Sequence, residues 1–103
     1  MKTFINCTPH AIRLNDGTIY EPSGTIARVS SSFTNFDEDG VCRVKYGEVT
    51  GLPGILSRNY YIVSAMVLAA SDRDDLVAPA TGHPDCIRDK EGHIVSVPGF
   101  IGK

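Results

Sequence analysis

Cysteine and histidine residues at two places in this sequence have the spacing of zinc ligands. Cys7 and His10 form one pair, His83 and Cys86 form the other, and each pair surrounds a Pro-containing turn. Two thiolates and two imidazoles are a common tetrahedral ligand set for zinc. The two pairs therefore suggest a zinc site, although both cysteines also suit small, buried apolar positions.

The second pair also contains the parts of a thiol nucleophile. Cys86 would attack a substrate, His83 would act as the base, and Asp85 or Asp89 would orient the histidine. Such catalysis needs a lowered thiol pKa, and no helix N-terminus is predicted directly at Cys86 to provide it. A zinc- or thiol-dependent enzyme is therefore kept as an alternative to a non-enzymatic protein without a cofactor.

A third arrangement of residues favours anion binding. Tyr60 to Val63 is aromatic and β-branched and predicts a strand, Ser64 is a good N-cap for a short helix over 65–70, and Leu76 to Ala78 predicts a second strand. If the helix is a crossover between two parallel strands, the carboxyl ends of both strands lie at one edge. The free amides at a helix N-terminus attract phosphate groups. The alternative is that 60–70 forms one continuous buried strand.

This parallel geometry predicts a ligand-binding site where the helix start meets the loop after the second strand. Thr81 would donate a hydroxyl, Gly82 would allow close backbone approach, and His83 would donate or stack. Ser64 has a simpler interpretation as a residue that only caps the helix, with 81–84 as a surface loop. The predicted site comprises Ser64, Ala65, Thr81, Gly82, His83 and Arg88.

Frequent turn signals divide the rest of the chain into short strands. Asn15-Asp16-Gly17 and the segment 89–92 each predict a hairpin, because Asn, Asp and Gly tolerate turn conformations. Thr25 to Ser31 and Val41 to Val49 predict further strands, the second with alternating residue types. The expected fold is α+β: a β-rich single domain over residues 1–103, built from short, mostly antiparallel strands and hairpins, with one short helix and a possible parallel strand pair.

Basic residues lie inside several of these predicted strands. They would form a modest anion-attracting stripe if the strands share a sheet. The alternative is that they are solvent-facing positions that discourage edge pairing. The residues are Arg13, Arg28, Arg43 and Lys45.

Composition limits the classes of partner. The 103 residues carry a net charge of −2 and no basic block, which argues against binding to a nucleic-acid polymer. The longest apolar run is far shorter than the about 20 residues that span a membrane. Three widely spaced cysteines indicate reduced thiols and a cytoplasmic protein. A core this small favours a homo-oligomer.

Several segments together resemble a group of small phage and prophage proteins that often begin Asn-Leu-Thr-Pro-His. The resemblance implies a bacterial host cytoplasm, and it brings no activity with it; Cys7 stands where Leu is expected. Combined with the predicted anion site, it favours a protein that sequesters a small phosphorylated ligand, such as a nucleotide defence signal. The alternative is a structural or protein-interaction module of a phage or prophage. The segments are Asn6-Cys7-Thr8-Pro9-His10-Ala11-Ile12, Pro22-Ser23-Gly24, Gly47-Glu48-Val49-Thr50-Gly51-Leu52-Pro53, Tyr61-Ile62-Val63-Ser64, Ile87-Arg88-Asp89 and Gly92-His93-Ile94-Val95.

Overall fold

A computed structural model of the chain describes residues 3–102 as a strand-rich structure with one short helix. The predicted β-rich α+β class is therefore confirmed. The elements are β1 (Thr3–Asn6), β2 (Ile12–Arg13), β3 (Ile19–Tyr20), β4 (Arg28–Phe33), β5 (Val44–Thr50), β6 (Asn59–Ile62), α1 (Ala65–Ala70), β7 (Leu76–Pro79), β8 (Ile87–Arg88), β9 (Ile94–Ser96) and β10 (Phe100–Ile101).

The centre of the molecule is a four-stranded mixed sheet in the order β1-β6-β7-β10. β6 and β7 run parallel, with Tyr61 opposite Leu76 and Ile62 opposite Val77, so the predicted parallel pair is confirmed. β1 adds a second parallel pairing on the far side of β6, and β10 pairs antiparallel with β7. Neither of these two outer pairings was predicted from the sequence.

Helix α1 crosses from β6 to β7 and begins at Ser64. The Ser64 hydroxyl oxygen accepts a hydrogen bond from the amide of Val67 at 3.3 Å, which is the geometry of an N-cap. The interpretation of 60–70 as one continuous strand is therefore wrong. The helix buries Val67 and Leu68 against one face of the central sheet. The core on this side also contains Cys7, Ala27, Tyr61, Val63, Leu76 and Ala78.

The opposite face of the central sheet carries an aromatic cluster. Phe4 on β1 stacks between Tyr60 on β6 and Phe100 on β10, with ring centroids 5.4 and 4.9 Å away. Tyr20 on β3 contacts both Phe4 and Phe100 at 5.7 Å. Because side chains alternate along a strand, Ile62 also points to this side, where it is fully buried. Both faces of the sheet are therefore covered.

Three antiparallel hairpins surround the sheet. β2–β3 and β8–β9 match the predicted hairpins, and Gly17 and Gly92 take positive φ at their turns. In the third, β4–β5, the strands are shifted from their predicted positions over 25–31 and 41–49. Just before β4, the amide of Ala27 bonds to the Cys7 carbonyl in the body of the protein, so residue 27 does not belong to the hairpin. We call residues 28–50, which comprise β4, β5 and their connecting loop, the arm.

The molecule is elongated and thin, measuring 50 × 39 × 23 Å. Its radius of gyration is 15.7 Å, whereas a compact chain of this length has about 13 Å. Within residues 3–102, no helix has the length and apolar character needed to cross a membrane.

Candidate functional site

A cleft of about 420 Å³ lies between β2, β9 and the carboxyl end of β7. Its walls include the apolar side chains of Ile12, Ile94 and Val97. His10, Arg13 and Thr81 add polar groups to the same lining. We call this feature the β2–β9 cleft. Mostly apolar walls with a few polar groups are typical of small-molecule sites.

Three polar side chains of the cleft are available to a ligand. Among residues 3–102, the Arg13 guanidinium, the His10 imidazole and the Thr81 hydroxyl make no hydrogen bond or ion pair. Arg88 lies beside them, because one of its guanidinium nitrogens donates to the Thr81 carbonyl at 3.0 Å. The cleft therefore combines an apolar surface with uncommitted donors and nearby positive charge.

The turn that carries His10 is held by the buried side chain of Asn6, which is 2% exposed. Its Nδ2 donates to the His10 carbonyl at 2.8 Å and to the Tyr20 carbonyl at 2.9 Å. Its Oδ1 accepts from the Thr8 amide at 2.9 Å and from the Thr8 hydroxyl at 2.6 Å. All the hydrogen-bonding groups of the Asn6 amide are used, so Asn6 fixes the backbone position of His10 at the cleft.

The β9 wall is attached to the loop between β2 and β3. The amide of Val97 donates to the Arg13 carbonyl at 3.0 Å, and the amide of Asn15 donates to the Val97 carbonyl at 2.8 Å. The Ser96 hydroxyl also donates to Asn15 Oδ1 at 2.6 Å, while Asn15 Nδ2 donates to the Asp85 carbonyl at 2.9 Å. These contacts tie three loops together and fix the width of the cleft.

The residues predicted to bind a ligand fall into separate groups. Thr81 lines the β2–β9 cleft, with Arg88 beside it. His83 lines a smaller cavity of about 230 Å³, where its neighbours include Pro98 and Phe100. Gly82 lies in the exposed turn between Thr81 and His83. The carboxyl ends of β6 and β7 share one edge, as expected.

Ser64 and Ala65 line neither of these two cavities. The Ser64 oxygen is used to cap the helix, and α1 has only six residues. Capping of the helix by Ser64, the simpler interpretation, is thus observed directly. A ligand contact by Ser64 or Ala65 stays a prediction.

The proposed zinc ligands do not converge. Cys7 is buried in the core, and burial raises the pKa of its thiol, while His10 is exposed on the other side of the turn. Within residues 3–102, no group of three or more His, Cys, Asp or Glu side chains is placed to hold a metal ion. The bland interpretation of Cys7 as a small core residue is the one that the structure supports.

The Cys86 and His83 side chains, proposed as nucleophile and base, form their hydrogen bonds with other groups. The Cys86 thiol donates to the Ser96 carbonyl at 3.4 Å, and His83 Nδ1 accepts from the Asp85 amide at 3.0 Å. Each group thus bonds to the backbone in place of the other. This arrangement gives no activation of the thiol by the histidine.

The sequence does not predict that His10, Arg13 and Thr81 line the same cleft. The sequence places His10 in the predicted zinc site and Arg13 in the predicted basic stripe. Their common cleft depends on the pairing of Leu14 with Val97, which lie at opposite ends of the chain. The available signal is a basic residue inside a short strand, and that signal does not identify the opposite wall of the cleft.

No family model, curated protein or solved structure matches this chain. The function proposed below therefore has its support in the geometry of the β2–β9 cleft and in the sequence features described above.

Proposed function

We propose that this protein is a phage-type binding protein that captures a small phosphorylated ligand, such as a nucleotide, in the β2–β9 cleft. The observation that carries the proposal is the presence of three uncommitted polar side chains, those of His10, Arg13 and Thr81, on a mostly apolar lining. A volume of about 420 Å³ falls within the usual range for small-molecule sites, roughly 300–1,000 Å³.

The chemistry of the lining matches the two parts of a nucleotide. A guanidinium binds two phosphate oxygens at once through parallel N–H donors, and Arg13 has its donors available. The Thr81 hydroxyl can donate to the same phosphate. Apolar side chains such as Ile12 and Ile94 give a surface for a base or sugar. His10 can stack on a ring or donate to a polar atom.

Capture without turnover is the form of the proposal that these contacts favour. Cys86 and His83 each bond to the backbone, so neither is poised to attack a bound ligand. The resemblance to small phage proteins supports a role in which a nucleotide signal of bacterial defence is held and kept from its receptor. Arg88 contributes by placing a positive charge next to Thr81.

The test is binding of a panel of mononucleotides, cyclic nucleotides and dinucleotides, measured by calorimetry and by the shift in melting temperature. At least one should bind intact. Arg13→Ala should then weaken binding roughly 10- to 100-fold, because a hydrogen bond to a charged group contributes about 1.5–3 kcal/mol.

Arg28→Ala is the matched control, since Arg28 is also an exposed strand arginine but lies outside the cleft. It should leave the affinity unchanged. Failure of every nucleotide to bind, or an equal loss in both variants, would contradict the proposal. Thr81→Val provides a second cleft variant of nearly equal size, with an expected loss of roughly tenfold.

A further inference from the structure

The walls of the β2–β9 cleft carry little charge, and that charge has one sign. Among the side chains of residues 3–102 that line the cleft, only the Arg13 guanidinium is permanently charged, and none is acidic. Arg88 lies beside the lining, where two of its nitrogens donate to the carbonyls of Thr81 and Gly92 at 3.0 Å each. These carbonyls orient the guanidinium without neutralising it. The cleft therefore offers one positive charge in its wall and a second beside it.

A single phosphate group uses all of the positive charge that the cleft supplies. The Arg13 guanidinium can bind two phosphate oxygens through parallel N–H donors, and the Thr81 hydroxyl can donate to a third. Arg88 is then near enough to balance a second negative charge on the same group. A further phosphate finds no other cation in the lining. A charge that leaves water without a partner costs free energy, so each added phosphate gains nothing inside the cleft.

The lining also has no group suited to the metal ion that accompanies longer phosphate chains. Mg²⁺ is usually bound through one or two carboxylates together with the phosphates of the ligand. None of the described residues that line the cleft has a carboxylate. A nucleoside diphosphate or triphosphate therefore brings charge that neither a side chain of the lining nor a protein-bound metal balances.

The polar groups that could identify a base by its edge are mostly used within the protein. Ser96 is 5% exposed, and its hydroxyl donates to Asn15 Oδ1 at 2.6 Å. The amide of Val97 donates to the Arg13 carbonyl, and the Val97 carbonyl accepts from the amide of Asn15. Asparagine, glutamine and carboxylate side chains form paired hydrogen bonds with base edges, and none of these lines the described part of the cleft.

The rest of the lining is aliphatic. Aliphatic side chains contact any flat ring, and their contribution depends on the area that they cover and not on the polar edge of the ring. His10 adds one imidazole, which can stack on a ring or form a single hydrogen bond. Contacts of this kind hold a base without distinguishing it from another base of the same size. The aliphatic residues are Ala11, Ile12, Pro79, Ile94, Val95 and Val97.

We infer that the β2–β9 cleft binds a nucleoside with a single phosphate group and has no strong preference for the base. This inference rests on the proposed function, because it names the ligand class of the same site. The phosphate lies against Arg13 and Thr81, with Arg88 beside it, and the base and sugar lie on the aliphatic wall. The number of phosphate groups is what the cleft selects.

The first test changes only the number of phosphate groups. Adenosine and its monophosphate, diphosphate and triphosphate are compared by calorimetry, with and without Mg²⁺, at about 0.15 M salt to screen long-range attraction. The monophosphate should bind roughly tenfold or more tightly than adenosine, because adenosine lacks the charged hydrogen bonds. The diphosphate and triphosphate should bind within roughly threefold of the monophosphate, or more weakly.

The second test changes only the edge of the base. The monophosphates of adenosine, guanosine and inosine have purine rings of the same size with different donors and acceptors. Their affinities should agree within roughly fivefold. A good pair of hydrogen bonds to a base edge discriminates by a factor of roughly 5 to 150. A larger preference than fivefold for one purine would reveal a group that reads the base and would overturn that part of the inference.

The third test adds a charge to the aliphatic wall. Ile94 lines the cleft and is 44% exposed, so Ile94→Lys places a second cation in the wall. It should raise the affinity for the triphosphate relative to the monophosphate up to roughly fivefold, as expected for an exposed charge pair. The ratio is compared because any lost apolar contact affects both ligands alike. Ile87→Lys is the matched control, since Ile87 is 47% exposed on the same hairpin but lies outside the lining, and it should leave the ratio unchanged.

The outcomes separate this inference from the proposed function. A triphosphate that binds more than threefold more tightly than the monophosphate would overturn the single-phosphate ligand and leave the capture of a nucleotide standing. Binding of a dinucleotide without binding of any mononucleotide would have the same effect. An equal ratio in Ile94→Lys and Ile87→Lys would show that charge in the wall does not set the preference. If no nucleotide binds, the inference and the proposed function both fail.

Discussion

At the scale of single residues, Asn6 and Cys7 have two different roles at the carboxyl end of β1. Asn6 is buried because its amide satisfies the backbone groups of a turn, and Thr8 takes part in the same network. Cys7 is buried beside it in the apolar core. Leu in place of Cys7 keeps an apolar side chain at this position, whereas no apolar residue can replace Asn6. The Asn6 side chain therefore builds a turn, and this turn fixes the backbone position of His10.

The role of Asn6 gives a prediction about stability. Asn6→Ala removes the hydrogen bonds that the Asn6 amide makes to Thr8 and to the His10 and Tyr20 carbonyls, and it should lower the free energy of unfolding by about 3 kcal/mol. Asn6→Asp keeps the size but turns a carboxylate oxygen toward two carbonyls, so it should be at least as destabilising at neutral pH. Part of this loss should be recovered in acid, where the protonated carboxyl can donate. The measurement is urea unfolding as a function of pH.

Asn35→Asp is the control for this change, because Asn35 is an exposed residue in the loop of the arm. It should alter the free energy of unfolding by less than about 0.5 kcal/mol. Equal stability of Asn6→Asp and the wild-type protein at neutral pH would show that the Asn6 network does not hold the turn.

At the scale of elements, local signals predicted local structure well. The N-cap at Ser64 and the helix formers after it gave α1 with its observed bounds, and Gly17 and Gly92 marked two hairpins. The direction of β7 relative to β6 also followed from the short crossover. These features depend on residues that are close together in the sequence.

Features that depend on distant residues could not be predicted. β10 has only two residues, and its place beside β7 is set by tertiary pairing. β1 pairs with β6 although the whole of β2 to β5 lies between them. The β2–β9 cleft has the same origin, since its opposite walls meet through Leu14 and Val97. Single-sequence patterns identify strands and partners that are close in the chain, but not partners that are far apart in it.

The base of the arm is fixed where β5 returns to the body. Gly51 has a φ of +83°, and a Cβ at this position would collide with the backbone carbonyl of Ile26. Pro53 lies two residues after Gly51, and its carbonyl accepts a hydrogen bond from the Arg73 guanidinium at 2.9 Å. The same guanidinium forms an ion pair with the Asp75 carboxylate at 2.6 Å. The close backbone approach at Gly51 and the Arg73 contacts both hold the base of the arm to the central sheet.

Gly51→Ala should therefore be much more costly than the same change at another positive-φ glycine. We expect it to lower the free energy of unfolding by about 3 kcal/mol, from left-handed backbone strain together with the collision. Gly24→Ala, at a φ of +95° but with open space around the added methyl, should cost only about 1 kcal/mol. Chemical unfolding of both variants measures the difference. Equal losses would show that Ile26 moves aside without cost.

At the scale of the whole molecule, one thin sheet supports two small cores. Leu68 and Val67 cover one face, and the rings of Phe4, Tyr60 and Phe100 cover the other. Neither set of side chains has enough apolar area to offset the entropy of ordering the chain by itself. The strands β6 and β7 contribute alternate residues to both faces of the sheet. Loss of packing on one face therefore exposes to solvent the strands that support the core on the other face.

This arrangement predicts a single cooperative unfolding transition for the body of the protein. Leu68→Ala and Phe4→Ala each remove packing on a different face, at about 2–3 kcal/mol, and each should lower the melting temperature by about 10 °C. Tyrosine fluorescence reports in part on the aromatic face, through Tyr20 and Tyr60, and far-ultraviolet circular dichroism follows the helix and strands. The two signals should shift together in both variants. Met66→Ala, which truncates an exposed residue of α1, should leave both unchanged. A Phe4→Ala protein whose fluorescence changes at a lower temperature than its circular dichroism would mean that the two faces unfold separately.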